Sequence, residues 1–207
     1  MQTILLHPTY FPSIAQMVAV AGAETVVFEI HDNYQKQTYR NRAYIAHSNG
    51  KLLLNVPIKH SGDGSRQKTS EVVPDTSFPW QSQHWKSLQS AYRTSPFFEY
   101  YEDELEFLFT DKAGSLLEHN LKIFELLTEL IGIEVKTEFT KSYKPEYAEG
   151  DLRKLVVAKK EKAYGFEPYI QVLQQAHGFI PNLSVLDLLF NEGPNTLNYL
   201  QRQPGDF

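Results

Sequence analysis

The first apolar run, Thr3-Ile4-Leu5-Leu6, is short and closes at His7-Pro8, with Pro12 soon after, so the pattern predicts a buried strand and then a turn. Ile14, Met17, Val18 and Ala21 recur at helical spacing behind Ser13, a residue suited to an N-cap, and Gly22 stands where such a helix stops. Thr25-Val26-Val27-Phe28-Glu29-Ile30 is β-branched and apolar, which predicts a second strand. Strand, helix and strand in this order begin a parallel βαβ unit, and ligands of such units bind beyond the carboxyl ends of the strands. Those ends carry His7-Pro8-Thr9-Tyr10-Phe11-Pro12 and His31-Asp32-Asn33.

Apolar runs at 42–47 and 51–58 flank Ser48-Asn49-Gly50 and predict a β-hairpin, with Pro57 marking a strand end or an edge. Residues 61–65 read as a polar loop, and Glu71-Val72-Val73 as a brief strand before Pro74. From Trp80 the pattern turns helical. Trp80, His84, Trp85, Leu88 and Tyr92 share a stripe that ends at Ser95-Pro96; a second helix is predicted over 97–109, and a strongly amphipathic one runs from Leu116 to a stop near Gly132. Ile133-Glu134-Val135 reads as a last core strand. A further helix follows Ser184 and ends at Gly193-Pro194. The expected fold is α/β: an N-terminal βαβ unit with a mixed sheet and a β-hairpin, followed by a mainly helical C-terminal half. It is expected to form a single domain: an α/β core with a helical layer over 1–140, a polar linker or flap over 141–168, and a C-terminal helical segment over 169–207 packed on the core.

Composition narrows the function. A net charge of -5 argues against a general nucleic-acid binder, so any basic site must be local. No cysteine is present, which removes disulfides, thiolate nucleophiles and cysteine metal sites. The chain enters its first strand with no basic, hydrophobic leader and has no run of membrane-spanning length, so the expectation is a cytoplasmic protein without membrane insertion. Aromatics, at 13%, are mostly Tyr and Phe, and tyrosine joins stacking area to a polar tip.

The densest candidate site is Tyr34-Gln35-Lys36-Gln37-Thr38-Tyr39-Arg40-Asn41-Arg42. Extended, it would set Tyr34, Lys36, Thr38, Arg40 and Arg42 on one face, where three cations repel unless an anion answers them. The expected ligand is a phosphorylated or acidic small molecule held by Lys36, Arg40 and Arg42, with arginine supplying bidentate contacts. A solvated polar strand paired to acidic neighbours competes with that reading. His7 and His84 are candidate general acids or bases, Asp32 a candidate to orient a histidine or take a proton, and Tyr10, Tyr39, Asn41 and Lys86 further candidate binding residues. HExxH, Walker A, GxSxG and GxGxxG patterns are absent, the histidines lack metal spacing, and no cofactor is named by any motif.

Several of these motifs recur in a known order. His7-Pro8-Thr9-Tyr10-Phe11-Pro12, Tyr34-Gln35-Lys36 with Tyr39-Arg40-Asn41-Arg42, Leu54-Asn55-Val56-Pro57-Ile58, Trp80 with His84-Trp85-Lys86-Ser87-Leu88, Ala91-Tyr92 with Ser95-Pro96-Phe97-Phe98, and Leu183-Ser184-Val185-Leu186-Asp187-Leu188-Leu189-Phe190-Asn191-Glu192-Gly193 together resemble a short form of the WbqC-like protein family. Many relatives have glutamine where this chain has His7, and longer ones carry a Tyr-Leu-Ser-Gly-like section where this chain has only the polar stretch 141–166. Some members are encoded among bacterial genes for O-antigen and other surface polysaccharides. That setting, joined to the cationic stretch beside the carboxyl edge of the βαβ unit, gives the leading expectation: a transferase acting on a nucleotide-linked sugar or other phosphorylated metabolite. Two readings stand beside it: a non-catalytic binding or assembly protein of the same pathway, and a nucleotidyltransferase-like enzyme.

Overall fold

The computed structural model describes residues 3–59, 62, 65–147, 149–159, 162–205 and 207. Strand β1 (Thr3–Leu6) leads through helix α1 (Ile14–Ala21) into β2 (Thr25–Phe28), and the strands pair in parallel with Ile4 opposite Val26 and Leu6 opposite Phe28. Because side chains alternate along a strand, these four enter the main core from one face of the sheet. Helix α1 starts at a capping box: the Gln16 N–H donates to Ser13 Oγ at 3.4 Å, and the Ser13 N–H to Gln16 Oε1 at 3.3 Å. It stops at Gly22.

Strand β5 (Lys136–Phe139) joins the other side of β2, also in parallel, giving the order β1-β2-β5. The apolar pattern predicts a core strand at Ile133-Glu134-Val135, but the strand begins at Lys136 and is an exposed outer edge, with Lys136 Nζ 2.6 Å from Glu138 Oε1. The preceding helix explains the shift. Gly132 takes a left-handed conformation with φ 79°, and the Ile133 N–H donates to the Thr128 carbonyl at 2.8 Å, so these residues finish a helix before any strand starts.

The outer side of β1 is covered by residues 150–152. The Leu5 N–H donates to the Gly150 carbonyl at 2.8 Å and the Leu152 N–H to the Leu5 carbonyl at 3.0 Å. Leu152, Leu155 and Val156 are buried immediately beyond, the last two in a short 3-10 turn (Arg153–Val156). This part of the polar 141–168 stretch is thus held by the sheet and the core.

Strands β3 (Arg42–His47) and β4 (Gly50–Asn55) form the predicted hairpin as a separate two-stranded sheet, so parallel and antiparallel pairing lie in two sheets. Ser48 and Asn49 make the tip, and Gly50, at φ 107° and opposite His47, supplies the positive φ that lets the second strand start. The helical half comprises α2 (Trp80–Tyr92), α3 (Phe98–Thr110), α4 (Leu116–Ile131), a single turn α5 (Gln174–His177), α6 (Val185–Glu192) and α7 (Thr196–Arg202). Helix α4 covers the sheet, its Phe124 ring meeting Phe28 edge-on at 4.9 Å. Tyr92 joins hairpin to helices: its hydroxyl accepts the Ala46 N–H at 3.0 Å and donates to Asp187 Oδ1 at 2.8 Å. Fully buried Asp187 also accepts from Gln171 Nε2 at 2.9 Å and from the Tyr169 hydroxyl, so its carboxylate organises the packing of α6. The fold is α/β, with an N-terminal βαβ unit, a hairpin and a mainly helical second half.

Gly150 has φ 72°, and a Cβ there would lie 2.3 Å from the Thr3 carbonyl oxygen, whereas a Cβ on Gly165 would meet nothing within 4 Å. Gly150→Ala is expected to lower the unfolding free energy by about 2 kcal/mol or more, and Gly165→Ala by about 0.5 kcal/mol or less. Urea denaturation of the two variants measures the difference; equal stabilities would show that the approach to β1 does not constrain the fold.

Candidate functional site

The site grows from the carboxyl ends of β1 and β2. His7 follows the first and Asp32 the second, and both are buried. Asp32 Oδ2 accepts from Arg40 Nη2 at 2.6 Å, Asp32 Oδ1 accepts from Thr69 Oγ1 at 2.5 Å, and His7 Nε2 stands 3.8 Å from Oδ2. Arg40 is only 1% exposed; its Nη1 donates to Thr38 Oγ1 at 3.3 Å, and its Nε has no partner among the described residues. The main chain places it. The Tyr39 N–H donates to the Val156 carbonyl at 2.7 Å, the Tyr10 N–H to the Tyr39 carbonyl at 2.9 Å, and Asn120 Nδ2 of α4 to the Arg40 carbonyl at 2.8 Å.

The stretch before Arg40 is not an extended strand. Gln37 has φ 61° and Thr38 Oγ1 turns back to donate to the Gln35 carbonyl at 2.9 Å. The alternation that would line up Lys36, Arg40 and Arg42 is therefore broken: Arg40 points into the core and Arg42 begins β3 opposite Asn55.

A second arginine builds the other wall. Arg153 grips Asp151 with two parallel bonds, Nε to Oδ1 at 2.9 Å and Nη2 to Oδ2 at 2.6 Å, and its Nη1 lies 3.8 Å from Oε2 of buried Glu29. The same side chain donates to the carbonyls of Lys144 at 2.7 Å and Pro145 at 3.0 Å. Its guanidinium carbon sits 5.7 Å from the centroid of the Tyr143 ring.

Two adjoining cavities result. One, of about 560 Å³, is lined by Tyr34, Lys36, Arg66 and Lys68 among others. The second, of about 400 Å³, is lined by His7, Arg40, Asp151 and Arg153 among others. Asp32, Gln35 and Tyr143 line both. The two lining carboxylates are engaged by Arg40 and Arg153, whereas Lys36, Arg66 and Lys68 form no ion pair among the described residues. Positive charge thus outweighs negative in the lining of the first cavity among the described residues, with Lys68 Nζ donating to the His31 carbonyl at 3.3 Å. Burial, and after it the charge on Arg40, lowers the pKa of His7 from 6.5 to about 3, so the imidazole is neutral near pH 7. Burial likewise opposes the Arg40 cation, and the Asp32 carboxylate opposes that effect. The Tyr34 phenol is pushed up to about 12 by burial and stays protonated.

The structure brings His7, Asp32, Tyr34, Lys36 and Arg40 together and places Tyr10, Tyr39, Asn41, Arg42, His84 and Lys86 outside these cavities. The Tyr10 hydroxyl meets His84 Nδ1 at 2.8 Å inside an aromatic cluster with Trp80 and His119, where burial lowers both histidines to about 4. Asn41 Nδ2 donates to the Val56 carbonyl at 2.9 Å, Tyr39 packs edge-on against Tyr44 at 6.2 Å, and Lys86 is exposed on α2. Arg66, Lys68, Thr69, Tyr143, Asp151 and Arg153 escape the sequence pattern because they stand in polar loops without periodicity. The one local sign is Gly150, whose close approach to β1 brings Asp151 and Arg153 to the site. Among the described residues no three His, Asp or Glu side chains converge as metal ligands, and no helix is long and apolar enough to cross a membrane.

Parallel strands with a polar, cation-lined cleft beyond their carboxyl ends define an α/β protein of the open-sheet kind. The sequence profile of the WbqC-like protein family matches residues 7–172, a span that takes in every residue of the cleft just described, and the chain belongs to that family. An uncharacterized protein of Mycobacterium tuberculosis, Rv1507c, is 25% identical over an alignment of 226 positions that covers 95% of this chain and 96% of that protein. No solved structure matches the chain significantly.

Two outcomes follow from the burial of these groups. The folded chain resists protonation at His7, His84 and His119, lowered from 6.5 to about 3, about 4 and about 4, while the unfolded chain takes up those protons below pH 6.5. Their contribution to stability is full above pH 6.5 and is lost as the pH falls toward these values, an expected decline on the order of a few kcal/mol between pH 7 and 4. Urea unfolding across that range measures it, and replacing His84 and His119 by Gln together should flatten the slope; an unaltered slope would assign acid sensitivity to other groups. Removing one partner of the buried pair, in Asp32→Ala, is expected to destabilise the fold by about 3–5 kcal/mol. Lys86→Ala, on an exposed helix face, should change it by about 0.5 kcal/mol or less in the same assay.

Proposed function

We propose that the chain is a transferase acting on a nucleotide-linked sugar or a similar phosphorylated metabolite, in the surface-polysaccharide setting that the family resemblance implies. The observation that carries this reading is the pairing of one cavity lined by Lys36, Arg66 and Lys68, none of them in an ion pair among the described residues, with an adjoining one that holds a neutral, buried histidine. The donor's phosphates lie against the cations, and its transferred group extends past Asp32 toward His7. An acceptor hydroxyl oxygen attacks the donor carbon and its proton passes to His7 Nε2. The bond from that carbon to the phosphate oxygen breaks, and the electron pair leaves on the phosphate. Lys36, Arg66 and Lys68 stabilise the charge as it develops. Asp32, 3.8 Å from His7 Nε2, stabilises the imidazolium that forms.

Differential scanning fluorimetry with nucleotide sugars and nucleotides tests the binding step. The melting temperature is expected to rise by several degrees at saturation, by mass action. Lys36→Ala combined with Arg66→Ala should weaken the affinity by roughly tenfold or more, since each loses a charge-assisted contact at an exposed position. His7→Ala should keep binding while turnover falls by roughly 10²–10⁴. An unshifted melting curve with every phosphorylated ligand would refute the reading.

A further inference from the structure

Tyr143 lies where the two cavities meet and lines both, and its side chain is 50% exposed. An exposed loop tyrosine is ordinarily free to swing. This one stands on main chain that is held from beneath, because the carbonyls of Lys144 and Pro145 accept from Arg153 at 2.7 and 3.0 Å. Arg153 is fixed in turn by the bidentate grip on Asp151 and by Glu29. The guanidinium that anchors the loop also covers one face of the Tyr143 ring, at 5.7 Å from its centroid. What remains is an aromatic ring, covered by a cation on one face only, in the lining of the cavity that holds Lys36, Arg66 and Lys68.

We propose that Tyr143 is the stacking platform for a nucleobase, which makes the ligand of this site a nucleoside diphosphate derivative and not a simple sugar phosphate. The proposal rests on the phosphate reading above and goes further by assigning the ligand's aromatic end. A flat ring beside a cationic groove matches the two parts of a nucleotide, one planar and polarisable, the other multiply charged. The cation on the covered face draws ring electron density toward itself, so the free face suits an electron-rich heterocycle. Because Arg153 fixes the loop before any ligand arrives, little conformational freedom is lost on stacking.

Isothermal titration calorimetry on the full chain with inorganic pyrophosphate, uridine diphosphate and adenosine diphosphate tests this. Both nucleotides are expected to bind about tenfold or more tightly than pyrophosphate, the gain that one base-aromatic stack supplies. Tyr143→Ala should erase that advantage while leaving pyrophosphate affinity unchanged, and Tyr143→Phe should keep it. Equal affinities for pyrophosphate and the nucleotides in the unaltered chain would overturn the platform and leave the phosphate reading standing. So would a Tyr143→Ala loss that falls equally on pyrophosphate, since the ring would then be shaping the cavity only. Binding of none of the three would remove the phosphate reading and this proposal with it.

Discussion

A guanidinium and a carboxylate shut away from water together, Arg40 on Asp32, set the condition under which the carboxyl edge of this sheet is built. Taking both ions out of water costs several kcal/mol each, and only close geometry with further hydrogen bonds offsets it. Each further bond brings another part of the chain: Thr69 from the loop after the hairpin, Thr38 from the turn before it, and Asn120 from α4 through the Arg40 carbonyl. The pair therefore draws three segments distant in sequence, residues 32–40, Thr69 and Asn120, to one point. It also gives His7 its character, since the imidazole that shares this burial has a cation for a neighbour and is left neutral.

The cations divide into two kinds. Arg40 and Arg153 are engaged by Asp32 and Asp151, and their planar forks are used to fix loops and carboxylates in place. Lys36, Arg66 and Lys68 have no such internal partner among the described residues and face the larger cavity. On a chain of net charge -5 this patch is local, a field that draws a small anion inward while the molecule at large repels a polyanion.

Much of the scaffold is legible because its signals are short-range. Ser13 and Ser184 mark helix starts in the sequence, and α1 and α6 begin directly after them. The hairpin follows from Asn49-Gly50 between apolar runs, although Gly50 acts one place later than a central turn residue. β5 is misread because Ile133 and Val135 look like strand residues, yet both lie partly buried against the core after a helix cap. The site is half legible. His7 and Asp32 sit at strand ends, where the βαβ rule points. Tyr10 and His84 have the right chemistry, but their partners are each other and a tryptophan, which no spacing reveals. Arg66, Tyr143 and Arg153 reach the site only through closure of the whole chain.

The parallel sheet has two flanks, and they are treated differently. Residues 150–152 lie along the apolar strand β1 and occupy hydrogen-bonding groups that a foreign strand would otherwise find. β5 is left open, but it is only four residues long and carries the Lys136–Glu138 ion pair, so a second chain that added there would have to bury or displace charge. The same segment that walls the candidate site is thus a guard against self-association. A chain that let go of it would risk aggregation as well as a lost pocket.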